Sequence, residues 1–204
     1  MKTEILLIED HPATRHGFAA ILSEAGRYAV AGQAGSLAEA EQWMARTVAP
    51  PSLIILDLIL GAENGMDFLA FLKTHCAERR MPPPPVLVCS VLEDPFTVRA
   101  ALNLGAKGYV SKSAGETELR EAIETALRGE TYVSKDLSLS VIQTLDAYAK
   151  FTKRELQVIS QLKQRKTNDQ IARALGIDRR TVLNHISHIY DKTGFSTREQ
   201  LLTL

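Results

Sequence analysis

Ile5-Leu6-Leu7-Ile8-Glu9-Asp10 sets the pattern by which this chain is read: a short apolar run that ends on carboxylates. Three further runs behave alike: Leu53-Ile54-Ile55-Leu56 before Asp57, Val86-Leu87-Val88-Cys89 before Ser90, and Gly108-Tyr109-Val110 shortly before Lys112. Near-continuous apolar strands separated by helical patterns point to a parallel sheet covered on both faces. In open α/β sheets ligands bind along the carboxyl edge of the strands. Glu9, Asp10, Asp57, Ser90 and Lys112 are therefore expected to converge on one edge. Three carboxylates, a hydroxyl and an ammonium suit a divalent cation and a phosphoryl group.

Outward from these runs, residues 1–129 alternate strand and helix five times. Strands are expected near 4–9, 28–34, 53–57, 86–90 and 108–111, and helices near 14–25, 36–48, 65–79, 97–104 and 116–128. Five β-α units with short connections imply a three-layer, flavodoxin-like domain with a five-stranded parallel sheet. Ser36 and Glu39 have the spacing of a capping box. Met81-Pro82-Pro83-Pro84-Pro85 cannot be helical, because proline lacks the amide donor, and reads as a stiff connector. Residues 130–150 form a linker in which Val141, Ile142 and Leu145 have the spacing of a helix. From Phe151 to Leu204 the pattern is helical only, with capping boxes expected at Thr152/Glu155 and Ser196/Glu199.

Charge divides the chain in the same way. The totals balance at 24 basic and 24 acidic residues, but residues 151–204 hold ten Lys/Arg against five Asp/Glu. By subtraction, residues 1–150 hold fourteen basic and nineteen acidic residues. An acidic front can hold a cation, and a basic tail can meet a polyanion. Two cysteines, Cys76 and Cys89, cannot make a disulfide framework, which favours a reducing, cytoplasmic setting. The first residues lack the apolar core of a signal peptide, and no stretch is long enough to span a bilayer.

Neighbouring carboxylates repel, so three at one edge make sense around a hard cation such as Mg²⁺, which takes oxygen ligands. A carboxylate can also act as a nucleophile toward phosphorus. Phosphoryl transfer asks mainly for positioning and charge neutralisation, which Lys112 and the Ser90 hydroxyl can share with the cation. In the tail, Asn168–Leu175 reads as a short helix, Gly176-Ile177 as a turn, and Asp178 as the cap of a helix running through Lys192. Val182, Ile186 and Ile189 share its inner face; Arg180, Asn184, Ser187, His188 and Asp191 share the outer one. Helix, tight turn and capped helix suit a major groove, where Arg can read guanine and Asn adenine.

These segments resemble those of two-component response regulators of the NarL/FixJ class. In the receiver part the matching stretches are Ile8-Glu9-Asp10-His11-Pro12, Ile55-Leu56-Asp57-Leu58, Asn64-Gly65-Met66-Asp67, Val88-Cys89-Ser90 and Gly105 through Lys112. The tail is similar to a four-helix LuxR-type domain in Phe151-Thr152-Lys153-Arg154-Glu155, Asn168-Asp169-Gln170-Ile171-Ala172, Leu175-Gly176-Ile177 and Thr181-Val182-Leu183-Asn184-His185. The resemblance implies that Asp57 accepts a phosphoryl group from a histidine kinase. It implies Mg²⁺ on Glu9, Asp10, Asp57 and the main-chain carbonyl of Ile59, phosphoryl oxygens on Ser90 and Lys112, and Tyr109 as a switch aromatic coupled to Ser90. It further implies promoter DNA as a partner, with Arg179, Arg180, Thr181, Asn184, Ser187, His188 and Lys192 as DNA-binding residues, and a phosphorylation-dependent homodimer. The chain would not be an enzyme beyond catalysing its own phosphorylation and dephosphorylation.

Several positions depart from the family pattern. Ser113 follows Lys112 in place of proline, and Ile59 and Gly61 replace a polar residue and a proline. Leu183 stands where a lysine is usual, and Asp169 and Ser187 where a basic residue is frequent. Each lost cation removes a phosphate contact. The competing expectation is therefore a phosphorylation-dependent regulator whose tail grips a protein partner rather than DNA.

Overall fold

Alternate residues of each apolar run enter two different cores, which is why the runs are apolar throughout. In β1 (Thr3–Ile8), Leu6 and Ile8 join one cluster while Ile5 and Leu7 join the other. β3 (Leu53–Leu56) separates Ile54 and Leu56 from Leu53 and Ile55 in the same way. β6 (Val86–Ser90) separates Val86 and Val88 from Leu87 and Cys89. This is the period-two consequence of side chains alternating across a sheet.

The computed structural model describes residues 2–47, 49–135, 137 and 151–202. The chain divides into two units, Met1–Val141 and Ile142–Leu204. In the first, β2 (Tyr28–Ala34) and β7 (Gly108–Ser111) complete five long strands, and five helices cover them: α1 (Pro12–Glu24), α2 (Leu37–Arg46), α3 (Gly65–Glu78), α4 (Pro95–Asn103) and α5 (Glu116–Leu127). Residues of α2, α3 and α4 fill the first cluster, and residues of α1 and α5 fill the second. The architecture is thus the expected flavodoxin-like sandwich.

The sheet has one strand more than the five expected. Its order is β2-β1-β3-β6-β7-β8, all neighbours parallel, and β8 is the two-residue strand Tyr132–Val133 beside Gly108 and Tyr109. So short a strand has no apolar run of its own to announce it. Likewise β4 (Ile59–Leu60) and β5 (Glu63–Asn64) form a small antiparallel ladder just beyond Asp57. The strand order reverses direction around β1 and β3, so their carboxyl ends flank the crevice where such sheets bind ligands.

The second unit contains α6 (Lys153–Lys163), α7 (Asn168–Leu175), α8 (Arg179–Thr193) and α9 (Arg198–Leu201). Val158, Ile159, Leu162, Ile171, Val182, Ile189 and Leu201 are fully buried and form its core. Gly176 closes α7 at φ +61°, a left-handed cap that glycine adopts without strain, and Asp178 then starts α8 by accepting from the Thr181 amide. Thr152 and Glu155 make the reciprocal capping box that their spacing predicts. Two others differ. Glu39 Oε2 accepts from the Gly35 amide, 2.7 Å, so Ser36 caps α2 with only half a box. The last helix is capped by Thr197 and Gln200, one residue later than the expected Ser196 and Glu199. The expected linker helix around Val141, Ile142 and Leu145 lies outside the described residues. Among the described residues, no helix is long and apolar enough to cross a membrane.

Candidate functional site

The ends of β1 and β3 bring Glu9, Asp10 and Asp57 together, with one carboxylate oxygen from each within 4.8 Å of the others. Glu9 and Asp57 are buried, at 2% and 3% exposure. One oxygen of each carboxylate accepts from a backbone amide. Glu9 Oε1 accepts from the His11 amide at 3.0 Å, Asp57 Oδ1 from the Ile59 amide at 3.2 Å, and Asp10 Oδ2 from the Gly61 amide at 2.9 Å. Arg15 Nη1 donates to the main-chain carbonyl of Glu9, which ties α1 to the end of β1.

Lys112 leaves the carboxyl end of β7, two strands along the same edge from β3, and places Nζ 2.6 Å from both Glu9 Oε2 and Asp57 Oδ2. Burial lowers its tendency to hold a proton, but the hydrogen bond to Asp57 and the pairing with Glu9 outweigh that, and the ammonium is held above its ordinary pKa. The contact to Glu9 is an ion pair only: no well-angled hydrogen bond reaches the buried Oε2 atom. Three carboxylates therefore face one ammonium, with negative charge left over and one buried oxygen incompletely satisfied. Hard oxygen donors in this number suit Mg²⁺, and Glu9, Asp10 and Asp57 are the residues that could hold it.

Gly65 explains how the acceptor loop comes so close to α3. A Cβ on this residue would lie 2.3 Å from the Asp57 carbonyl oxygen and 2.9 Å from Leu58 Cα. The Asn64 side chain caps α3 by accepting from the Met66 amide at 3.0 Å, which pins the same corner.

Ser90 ends β6 with no exposed surface, and its Oγ accepts from the Leu92 amide at 3.4 Å. Tyr109 is turned fully inward, its hydroxyl donating to the Leu92 carbonyl at 2.5 Å. Burial raises its phenol pKa, so it stays a neutral donor. Sequence reasoning missed a second fastening of the same loop: Ser111 Oγ donates to Glu93 and lies 2.7 Å from Ser113 Oγ. Tyr109 and Ser111, both on β7, thus grip residues 92 and 93 side by side.

In the second unit α8 displays Arg180, Leu183, Asn184, Ser187, His188 and Asp191 on its exposed face, while Val182, Ile186 and Ile189 are buried. The remaining expected DNA-binding residues are engaged within the unit. Arg179 Nε is 3.7 Å from Asp169 Oδ1, and Thr181 binds Asp178 through both its amide and its hydroxyl. Lys192 Nζ is 2.6 Å from Glu155 Oε2 and 5.9 Å from the centre of the Phe151 ring. Burial would raise the Glu155 pKa, but Lys192 and Thr152 hydrogen bonds prevail and hold it below the usual carboxylate value. Lys192, expected among the DNA-binding residues, is turned toward Glu155 of α6. A cleft of ≈ 300 Å³ lies at the start of α7, lined by Arg165, Lys166, Thr167, Asn168, Asp169, Arg179 and Arg198. Arg198 closes it by binding Asn168 Oδ1 at 2.8 Å and the Lys166 carbonyl at 2.5 Å.

Comparison with known proteins agrees with both units. Residues 5–124 match the response regulator receiver domain, and residues 149–204 match the luxR family of bacterial regulatory proteins. The transcriptional regulatory protein LiaR of Bacillus subtilis is 30% identical over 203 residues, covering 96% of this chain and 93% of LiaR. The oxygen regulatory protein NreC of Staphylococcus aureus is 28% identical over 212 residues, covering 98% of this chain and 94% of NreC. Among solved structures, a LuxR-family two-component response regulator from Aurantimonas matches with a TM-score of 0.63 at 26% identity, over 71% of this chain and 98% of that one. RcsB from Salmonella enterica serovar Typhimurium, bound to promoter DNA with the phosphomimetic BeF₃⁻, matches the fold with a TM-score of 0.70 at 18% identity, over 100% of this chain and 97% of that one. The chain belongs to the response regulators, with a receiver domain joined to a LuxR-type helix-turn-helix DNA-binding domain.

Proposed function

We propose that Asp57 accepts a phosphoryl group from the phosphohistidine of a partner kinase and that this controls transcription through the helix-turn-helix. The observation that carries the reading is the buried Asp57 carboxylate, 2.6 Å from the Lys112 ammonium and clustered with Glu9 and Asp10. Asp57 acts as nucleophile toward phosphorus, forming a P–O bond as the P–N bond of the donor breaks. Mg²⁺, when bound by Glu9, Asp10, Asp57 and the Ile59 carbonyl, supplies charge neutralisation at the transferred group. Lys112 exchanges its contact with Asp57 for one with a phosphoryl oxygen, and the Ser90 hydroxyl takes another. Moving Ser90 Oγ then rearranges the Leu92 segment to which Tyr109 is bonded. The same cluster accounts for self-catalysed phosphorylation and hydrolysis.

The exposed face of α8, with Arg180, Asn184, Ser187 and His188, enters the major groove of promoter DNA, and Arg179 and Thr181 lie beside the phosphates at its start. Two copies acting as a phosphorylation-dependent dimer would set their α8 helices about 34–36 Å apart, one turn of duplex. The regulatory names of LiaR and the promoter DNA in the RcsB complex support this reading. The absence of a membrane-crossing helix among the described residues is consistent with a cytoplasmic regulator. The test is incubation with Mg²⁺ and a small-molecule phosphoryl donor, followed by intact mass and gel shift on promoter fragments. One acid-labile phosphoryl group and tighter, sequence-dependent binding are expected. Labelling of the Asp57→Asn variant would falsify the acceptor assignment.

A further inference from the structure

We infer that Leu183 reads a thymine methyl group, so that this regulator selects an operator with a T·A pair beside the adenine taken by Asn184. The inference rests on the DNA-binding reading of α8 above. Among the described residues of the helix-turn-helix unit, Leu183 is the one large apolar side chain exposed, at 46%. Every other large aliphatic residue of α8 faces inward: Val182, Ile186 and Ile189 are buried. Leu183 instead sits among Arg180, Asn184 and Ser187, positions spaced by three and four residues and hence on one side of the helix.

The chemistry of that position is narrow. A leucine pressed against a base edge can offer only apolar contact. The C5-methyl of thymine is the one apolar feature of the unmodified major groove. Against guanine O6 and N7 or cytosine N4, leucine would strip water from polar atoms and return nothing, a penalty of the kind that rejects a partner. Asn184, one residue on and also exposed, carries the amide that pairs with adenine N6 and N7. A neighbouring methyl reader and adenine reader together describe an A·T-centred half-site. Arg180 remains to take a flanking guanine. The departure from a lysine at 183 thus exchanges a phosphate or guanine contact for thymine selectivity.

The experiment uses the full chain with Mg²⁺ and beryllofluoride. A site is first selected from a random duplex pool, and each thymine in it is then replaced in turn by deoxyuridine, which removes only the methyl. One replacement should weaken wild-type binding about fourfold, the worth of one buried methyl-sized group. The same replacement should cost nothing in Leu183→Ala, whose matching unfolding curve would show that its fold is intact. Asn184→Ala should relax the adenine at the adjacent pair by about 5- to 150-fold. If a site is enriched but uridine scanning is silent, or costs Leu183→Ala as much as wild type, the inference fails while DNA binding stands. If wild type enriches no site at all, DNA binding itself fails, and Leu183 belongs to a protein-binding face.

Discussion

Lys112 is the side chain on which the receiver's charge balance turns, because one ammonium serves two buried carboxylates. Removing one partner of a buried ionic cluster costs about 3 kcal/mol. Lys112→Met should lose that much stability in metal-free buffer, and Mg²⁺ should recover a large part of it; urea unfolding with and without the cation decides. Unfolding that ignores Mg²⁺ would mean the three carboxylates do not act together on a cation. Gly65 offers a steric counterpart. A Cβ placed 2.3 Å from the Asp57 carbonyl must displace the acceptor loop. Gly65→Ala should cost about 1–3 kcal/mol, and phosphorylation should slow more than the loss of fold explains. Of this cluster, the sequence shows the residue types and their strand-end positions, since each follows an apolar run. It does not show that Glu9 and Lys112 meet, because chemical type alone cannot select one pairing among several acids. Glu93 with Ser111 was invisible for the same reason: neither stands out until β6 and β7 lie side by side.

Long strands buried on both faces were readable because burial leaves an uninterrupted apolar run. The two-residue strands β4, β5 and β8 were not, since a ladder that short leaves no periodicity. Cap positions suffered a different ambiguity at α9, where Ser196/Glu199 and Thr197/Gln200 both have the required spacing. Local hydrogen bonds mark the one that forms: the Ser196 and Thr197 amides both donate to Gln200 Oε1, at 2.9 and 3.0 Å. The cleft at the start of α7 gives an element-level prediction. Asp169 sits 3.7 Å from Arg179 and offsets part of that cation's charge. Asp169→Asn should tighten binding to random-sequence duplex and steepen the dependence of log K on log salt by up to about 1. An unchanged slope would show that Arg179 never meets a phosphate.

Acid should weaken the helix-turn-helix, because that unit is braced by a carboxylate paired with a lysine. Glu155 caps α6 and holds Lys192 of α8, and its pKa is depressed in the folded state. A depressed pKa contributes stability that is present above the unfolded value and disappears as pH falls through the folded one. Unfolding of the tail, followed by a fluorescent label on that unit, should therefore shift to lower urea below about pH 4.5. Glu155→Gln should flatten that acid limb and cost about 1–2 kcal/mol at neutral pH, from the lost ion pair with Lys192, because a glutamine can still accept from the Thr152 amide as Gln200 does at α9. The receiver carries a reporter of its own. Cys76 and Cys89 are buried, and burial pushes the Cys89 thiol up to about 12. Near neutral pH the buried sulfur therefore stays a thiol, the unreactive form. An alkylating reagent can then reach Cys89 only when the sheet breathes, so its rate of capture times that opening, and beryllofluoride should slow the clock.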